Sequence, residues 1–450
     1  MPIQSLCCNL QLLRMPTPSL ILVPARFKTG KLYTPLATTS GGVVLGASGD
    51  FNVTRATTAT RVNASGLIEV VASGIPRLDY PLGGGCPALL VEPSGSNLVV
   101  QSQNWLASGW RSDAAGFTIT ISGTTGTLDP LGTNTANAIS PTSGSAIHLK
   151  VGNDGSLGFT SGTIYTSSAF FKQGTGNAGR YVQLTYPASR FMQDGYANFD
   201  LQLGTVAVVS GTTADSNRAA SIENYGNGWY RCRLTATCNS AGTGNGFTGV
   251  LITASGDTRA PSFSGTITDV LYGWGAQTET GSIATSYIPT TTASATRNAE
   301  VISLSGAVSG CIGQTEGTIY LETNSLVSGS SDLFCFARAL TNTVSISKNS
   351  SNRIQATVYT SGLALNIAAS GTVSGNLKIA FAYKTGESAL YINGVQIGTS
   401  AIAFSFTAAL TQININPTGF FEGIGNQRIS APAIYTTRLT NAELAALTTL

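Results

Sequence analysis

The chain has 450 residues, of which 10% are charged and 42% hydrophobic, with a formal net charge of +3 and one histidine, His148. An average globular chain carries about 25% charged residues, so this one lacks the basic excess of a nucleic-acid groove or a membrane-surface patch, while its apolar content can bury a real core. Many glycines (52) against few prolines (16), abundant Ser and Thr, and frequent Val, Ile, Tyr and Phe point to an all-β protein of short strands and tight turns.

The first section spans 1–103. "SLILVPARF" and "GKLYTPL" are strand-like, followed by a glycine-rich break and "FNVTRATTATRVNASGLIEVVAS", in which Asn63-Ala64-Ser65-Gly66 is a turn signal. Residues 1–14 read as a weakly ordered extension. No basic n-region precedes the apolar run at Ser19, so no export signal is predicted, and no run approaches the ~20 apolar residues of a membrane span. The section is too broken to make a sandwich alone, so it is expected to be an extended N-terminal arm. "IPRLDYPLGGGCPALLVEPSGSNLVV" is its most distinctive stretch. Arg77 and Asp79 share one face of an extended strand and Leu78 and Tyr80 the other. Gly83–Gly85 permit a reversal, and "PALLVEP" can bury as one strand. Arg77, Asp79 and Tyr80 are therefore predicted to dock the arm against the following sandwich. Pairing with an oppositely charged partner is the ordinary use of such residues, with ligand binding as the alternative.

The second section, 104–298, runs through "TIYTSSAFFKQG", "RYVQLTY", "ANFDLQLGTVAVVS", "GNGWYRCRLTATCN", "GFTGVLITAS" and "ITDVLYGWGAQTETGS". Each is a strand-length run bounded by Gly, Ser, Asn or Asp, and the spacing predicts a β-sandwich of jelly-roll type. The third, 299–450, contains "GTIYLETNSL", "DLFCFARAL", "RIQATVYTSG", "LKIAFAYKTG" and "SALYINGVQIGTS". Asn393-Gly394 predicts a two-residue type I′ hairpin. Thr440 lies three residues before Glu443, a capping box for one short C-terminal helix. "ATRVNA" at Ala59 and "ATRNAE" at Ala295 echo each other where the chain passes between modules, although chance repetition is an alternative in so Thr-rich a sequence.

The combination of "VTRATTATRVNASGLIEVV", "IPRLDYPLGGGCPALLVEPSGSNLV", "GNGWYRCRLTAT" and "YGWGAQTETGSIATSYIPTTTASATRNA" resembles a family of tailed-bacteriophage structural proteins. The resemblance implies a variable N-terminal part, a carbohydrate-binding-module-like sandwich over 104–298, and a concanavalin-like or laminin-G-like sandwich over 299–450. "LYINGVQIG" and "APAIYTTRLTNAELAAL" support the last of these. It further implies a virion protein of a head or tail fibre or appendage, assembled in the host cytoplasm. Its arm would contact other virion proteins, and it would be a homo-oligomer, with a trimer favoured.

Reactive groups are few. Seven scattered cysteines contain no Cys-x-x-Cys pair, so neither a zinc cluster nor a disulfide framework is indicated, and Cys232 and Cys238 read as small buried hydrophobes. The 21 acidic residues are thinly spread. Glu316 and Glu322 flank "GTIYLE" without the acid between them that a catalytic strand motif would carry, and they read as solvated strand residues. A nucleophilic triad would have to use His148, with no Gly-x-Ser-x-Gly elbow to partner it. The expectation is a non-enzymatic protein with no cofactor and no metal. Sugar binding is the better chemical candidate, because sandwich modules stack sugars on aromatic rings beside polar side chains. Trp105, Trp110, Trp229, Tyr230 and Trp274 are the candidates. Trp229 and Trp274 sit in strand-like runs where a core role is the default, and Trp105 and Trp110 lie in a looser entry segment. The expected function is adhesion to a host-surface glycan, without nucleic acid and without membrane insertion. The alternatives are a polysaccharide-degrading tail-spike-type enzyme, a secreted bacterial carbohydrate-binding protein, and a purely structural decoration.

Overall fold

The computed structural model describes residues 17–22, 27–32, 51–111, 119–122, 126–191, 195–210, 215, 217–305, 310–324, 331–338, 341–373, 375–415 and 427–450. Residues 1–14, Cys7 and Cys8 lie outside them. The protein is all-β, with one short helix near residue 190 and another at the C-terminal end. The sheet pairings are antiparallel throughout the described strands.

The middle sandwich has two six-stranded sheets. One contains Leu149–Gly152, Phe247–Ile252, Tyr181–Thr185 and Tyr196–Asp200, and the other Leu271–Thr280, Ile164–Gln173, Trp229–Thr237 and Ala219–Asn224. Alternation along the strands sends one set of side chains inward. In Trp229–Thr237 these are Cys232, Leu234 and Ala236, which pack with Phe171, Val182, Leu184, Phe199 and Phe247. The other parity, Trp229, Arg231, Arg233 and Thr235, faces away from this core.

The last sandwich is larger, with an eight-stranded and a nine-stranded sheet. Its hairpin between Ser388–Ile392 and Val395–Ser400 turns at Asn393 and Gly394, with φ of 50° and 81°, the left-handed pair that a type I′ turn requires. The helix Asn441–Thr448 opens with the predicted capping box between Thr440 and Glu443.

The first section was expected to be an arm lying on a neighbour, and its described part is woven into the last sandwich instead. Leu20–Ile21 and Ala88–Val91 both pair with Gln427–Tyr435, and Arg77–Asp79 extends the same sheet. Phe51–Thr54 pairs with Val301–Ser305 in the opposite sheet and carries two further short strands beside it. The cause is apolar demand. Leu20, Leu22, Leu32, Phe51, Val53, Leu89 and Val91 are fully buried in one cluster with Ile319, Leu321, Phe334, Phe381 and Ile434. The hairpin of Ala59–Val62 and Ile68–Val71 stands apart from both sheets, as does Gly95–Asn97. Its turn uses the predicted Asn63–Gly66 step, where Asn63 Oδ1 accepts from Ser65 N and Leu67 N. Ile68 packs on the middle sandwich against Phe170, Trp229, Trp274 and Tyr287.

The joint between the sandwiches is built on buried charge. Gly95–Asn97, entering the middle sandwich, pairs with Ala295–Arg297, leaving it. Beside this pair Arg77, fully buried, donates to Glu300 Oε1 and Oε2 at 2.7 and 2.8 Å and to Glu92 Oε2 at 2.8 Å. It also reaches Thr60 O and Ser286 Oγ. Arg55 donates to Glu300 Oε1 at 3.1 Å, and Arg297 stands 3.5 Å from both Glu92 and Glu300. Asp79 accepts from Val62 N and from Arg428 Nε. Arg77 and Asp79 thus make ion pairs, as the sequence suggested. Their partners come from the joint and the last sandwich rather than from the sandwich that follows them in the chain. Tyr80 is half-buried and donates its backbone N–H to Val62 O.

Candidate functional site: a cleft between the sandwiches

The four tryptophans named from the sequence as sugar platforms are core residues. Trp105 and Trp110 stack on each other, with ring centroids 4.9 Å apart, against Phe247. Gly273 lies so close to Trp105 that a Cβ there would stand 2.4 Å from its ring. Trp229 and Trp274 are buried under the hairpin residue Ile68. Their indole N–H groups are satisfied inside the protein: Trp105 by Ser102 O, Trp110 by Val100 O, Trp229 by Leu128 O and Trp274 by Thr135 Oγ1. Tyr230 is half-buried on the core side of its strand, its ring against Gly204. These five residues do not converge on one exposed surface. The looser entry segment carrying Trp105 and Trp110 packs both rings into the core of the middle sandwich.

The groups considered for chemistry are also accounted for. His148 is fully buried, its Nε2 3.1 Å from Phe263 O and its ring against Phe263. Glu316 pairs with Lys384, and Glu322 accepts from the Tyr320 hydroxyl. Cys232, Cys238 and Cys311 are free and buried, and Cys86 is disulfide-bonded. Among the described residues no group of three His, Cys, Asp or Glu is gathered to hold a metal, and no helix is long and apolar enough to cross a membrane.

A cleft of about 510 Å³ does exist where the two sandwiches and the Ala59–Val62 hairpin meet, a volume within the usual range for small-ligand sites. Its floor is the outward face of the middle sandwich. The register sets Glu223 opposite Arg231, Ser221 opposite Arg233 and Ala219 opposite Thr235, with Phe170, Ser168 and Thr166 on the other side of the same strand. The first section supplies Arg61, Val62 and Asp79 to the walls, and the last sandwich supplies Gln427 and Arg428. Tyr225, half-buried, presents its ring edge-on to Phe170.

Most of the charges lining the cleft are paired. Arg233 binds Glu223, Arg428 binds Asp79 at 2.5 Å, and Arg61 binds Glu69 at 2.5 Å. Burial works to raise the Glu223 pKa, but Arg233, Arg428 and Arg231 outweigh it and hold the carboxyl below its ordinary range. Burial, then the Glu223 charge, pushes the Tyr225 hydroxyl up.

Among the described residues three lining side chains carry unpartnered buried atoms; Arg233, unpartnered at Nε, still has its ion pair with Glu223, whereas Arg231 and Gln427 have none. Arg231 is 1% exposed, has no carboxylate within ion-pair distance among the described residues, and donates from Nη2 to Ser168 Oγ at 3.1 Å with Nε unpartnered. Its guanidinium lies 5.3 Å from the Phe170 ring centre. Gln427 is 2% exposed, and neither its Nε2 nor its Oε1 has a partner. Buried polar groups are ordinarily satisfied, so such a pair in one cleft is an open binding capacity. Sequence reasoning missed Tyr225, Arg231, Arg233, Gln427 and Arg428. One signal was present: in "WYRCRLTAT" the two arginines share parity with Trp229 and oppose the apolar Cys232 and Leu234.

No family model matches the chain, and no curated protein matches it. Solved structures with local likeness include a native heptameric SAP-like pentraxin from Limulus polyphemus, at 14% identity over 30% of this chain and 70% of that one, TM-score 0.26. A Ruminococcus gnavus sialidase CBM40 bound to alpha2,3 sialyllactose aligns at 16% identity over 31% and 84%, TM-score 0.27. A botulinum neurotoxin type C structure, described as dependent on two ganglioside molecules for cell entry, aligns at 15% over 34% and 40%, TM-score 0.28. At these identities and scores the likenesses carry no argument about what this chain binds.

Proposed function

We propose that this chain is a non-enzymatic adhesion protein that holds a glycan in the cleft between its sandwiches, and that it serves as a virion fibre or appendage subunit. The observation that carries the binding role is the cleft itself, with Arg231 and Gln427 buried in its lining and unmatched by the protein. A half-buried ring, Tyr225, and hydroxyls of Thr166, Ser221 and Thr235 stand around them, the mixture of apolar face and hydrogen-bonding edge that a sugar requires. The absence of catalysis is part of the proposal. It is supported by Glu223, whose carboxyl, despite burial, is held below its ordinary range by Arg233 and so disfavoured as a general acid, and by the engagement of Asp79 with Arg428. The virion role rests on the sequence resemblance. Contact with neighbouring virion proteins would have to use surfaces other than the strands between residues 20 and 91 that complete the last sandwich.

The test is a glycan array probed with the purified chain, alongside a reducing-sugar assay on the glycans retained. Binding without release of reducing ends is the expected result. Steady release would establish a polysaccharide-degrading enzyme instead, and an array without any binder would leave a structural decoration.

A further inference from the structure

We infer that the glycan taken by this cleft is acidic, its anionic group seated on Arg231 and a neighbouring hydroxyl on Gln427; this rests on the glycan-binding proposal above. A guanidinium withdrawn from water is costly unless an anion meets it. Within the cleft the other arginines already have carboxylates: Arg61 has Glu69, Arg233 has Glu223 and Arg428 has Asp79. Arg231 has the Ser168 hydroxyl and the Phe170 ring, and feels the charges of Glu223 and Glu279 without an ion-pair contact to either. The cleft lining holds four guanidinium groups against three carboxylates, and one of those three, Glu92, is committed to Arg77 and Arg297 at the joint. The lining therefore gives Arg231 no directly paired carboxylate among the described residues.

Gln427 narrows the chemistry. Its amide offers donors at Nε2 and an acceptor at Oε1, and both are empty. A simple anion accepts hydrogen bonds but leaves Oε1 without a donor. A neutral sugar supplies hydroxyl donors but leaves Arg231 without a counter-charge. A sugar carrying a carboxylate or sulfate meets both needs, and its remaining hydroxyls can donate to the carboxylate oxygens of Glu223 and Asp79 in the same lining.

The test is calorimetry and array binding on the full chain. The probes are glucuronate-, galacturonate-, sialate- and sulfate-terminated oligosaccharides, their neutral glucose- and galactose-terminated counterparts, and inorganic sulfate alone. A hydrogen bond to a charged group contributes about 1.5–3 kcal/mol, so the preferred acidic probe should bind roughly 10- to 150-fold more tightly than its neutral counterpart. Arg231→Gln should bring that ratio below about threefold while leaving the weak neutral binding in place. Gln427→Leu, which keeps the charge and removes the amide, should weaken acidic and neutral probes together. It also provides an independent readout if Arg231→Gln does not fold. Equal binding of acidic and neutral probes would overturn the inference and leave glycan adhesion standing. Failure of every probe would overturn both. Inorganic sulfate binding as tightly as the best acidic sugar would show an anion site with no sugar requirement, against the role given to Gln427.

Discussion

Replacing Glu300 by Ala should uncouple the two sandwiches. Glu300 accepts from Arg55 Nη1 at 3.1 Å, from Arg77 Nε and Nη2 at 2.7 and 2.8 Å, and from the backbone N–H of Glu92 at 3.0 Å. Its side chain is 1% exposed, as is that of Arg297, and those of Arg55 and Arg77 are fully buried. Without Glu300, the guanidinium groups of Arg55, Arg77 and Arg297 face each other with Glu92 alone to balance them. Removing one partner of a buried ion pair costs about 3–5 kcal/mol, because the charge left behind has no solvent. Here three cations are left short, so the upper half of that range is expected. Urea unfolding measures it. All four tryptophans lie in the middle sandwich, so their fluorescence follows that unit, while far-UV circular dichroism follows both. The variant should show an earlier transition by dichroism and separation of the two curves. The control is Arg61→Ala, which breaks a pair whose carboxylate partner is 36% exposed and should cost under about 1 kcal/mol. A Glu300→Ala cost no larger than that of the control, with the two curves still superimposed, would refute the claim that this cluster holds the joint together.

The same joint sets an acid limit. Burial opposes ionisation of Glu92, but Arg297, Arg77 and the Ser286 hydrogen bonds outweigh it and hold its pKa far below the ordinary 4.5. The unfolded chain therefore takes up a proton that the folded one refuses, so this contribution is full above about pH 4.5 and is lost as pH falls below it; a midpoint that rises between pH 5 and pH 3 would contradict it. Gly394→Val forces a β-branched residue to φ of 81° and should cost at least about 1–2 kcal/mol by urea unfolding. Thr440→Ala removes the side-chain half of the capping box at Asn441–Thr448, leaving the backbone N–H bond to Glu443, and should cost about 1 kcal/mol, seen as faster amide exchange confined to that helix. Deleting residues 1–103 should leave the last sandwich aggregating on expression, because it bares the edges of Val301–Ser305 and Gln427–Tyr435 and removes seven buried apolar side chains; a soluble, cooperative fragment would show that the strands of the first section are dispensable.

Local features were legible because local chemistry decides them. Asn393-Gly394, the Asn63–Gly66 turn and the Thr440–Glu443 cap each involve residues within four positions of one another, and each forms as predicted. The all-β class followed from composition and alternation. Arg77 and Asp79 were read as ion-pairing residues, but Glu300, the bidentate partner of Arg77, lies 223 residues away, a separation that no periodicity reports. The destination of the first section was hidden for the same reason. Its strands are two to four residues long, and so short a run says nothing about which edge it will join. The tryptophans were candidates for two roles because ring chemistry suits a sugar face and a core equally well; Trp229 and Trp274 took the core role their strands favoured, and burial put Trp105 and Trp110 there too. The cleft is assembled from three distant parts of the chain, so its open valences at Arg231 and Gln427 could not be counted before the walls were in place.

Ser19 donates its backbone N–H to Ile434, 415 positions further on. A ribosome working at roughly 5–20 residues per second needs about 20–80 s to cover that distance. By the end of that interval Leu20 and Leu89 have long been made, and the strand at Gln427–Tyr435 that pairs with both of their strands is only then being completed. The nascent chain must therefore carry sticky, unmatched ribbon until that strand is made, open to chaperones and to proteases alike. Closure of the last sandwich waits for Gln427–Tyr435, and a chain truncated before that strand should be cut by protease where the chain that includes it resists.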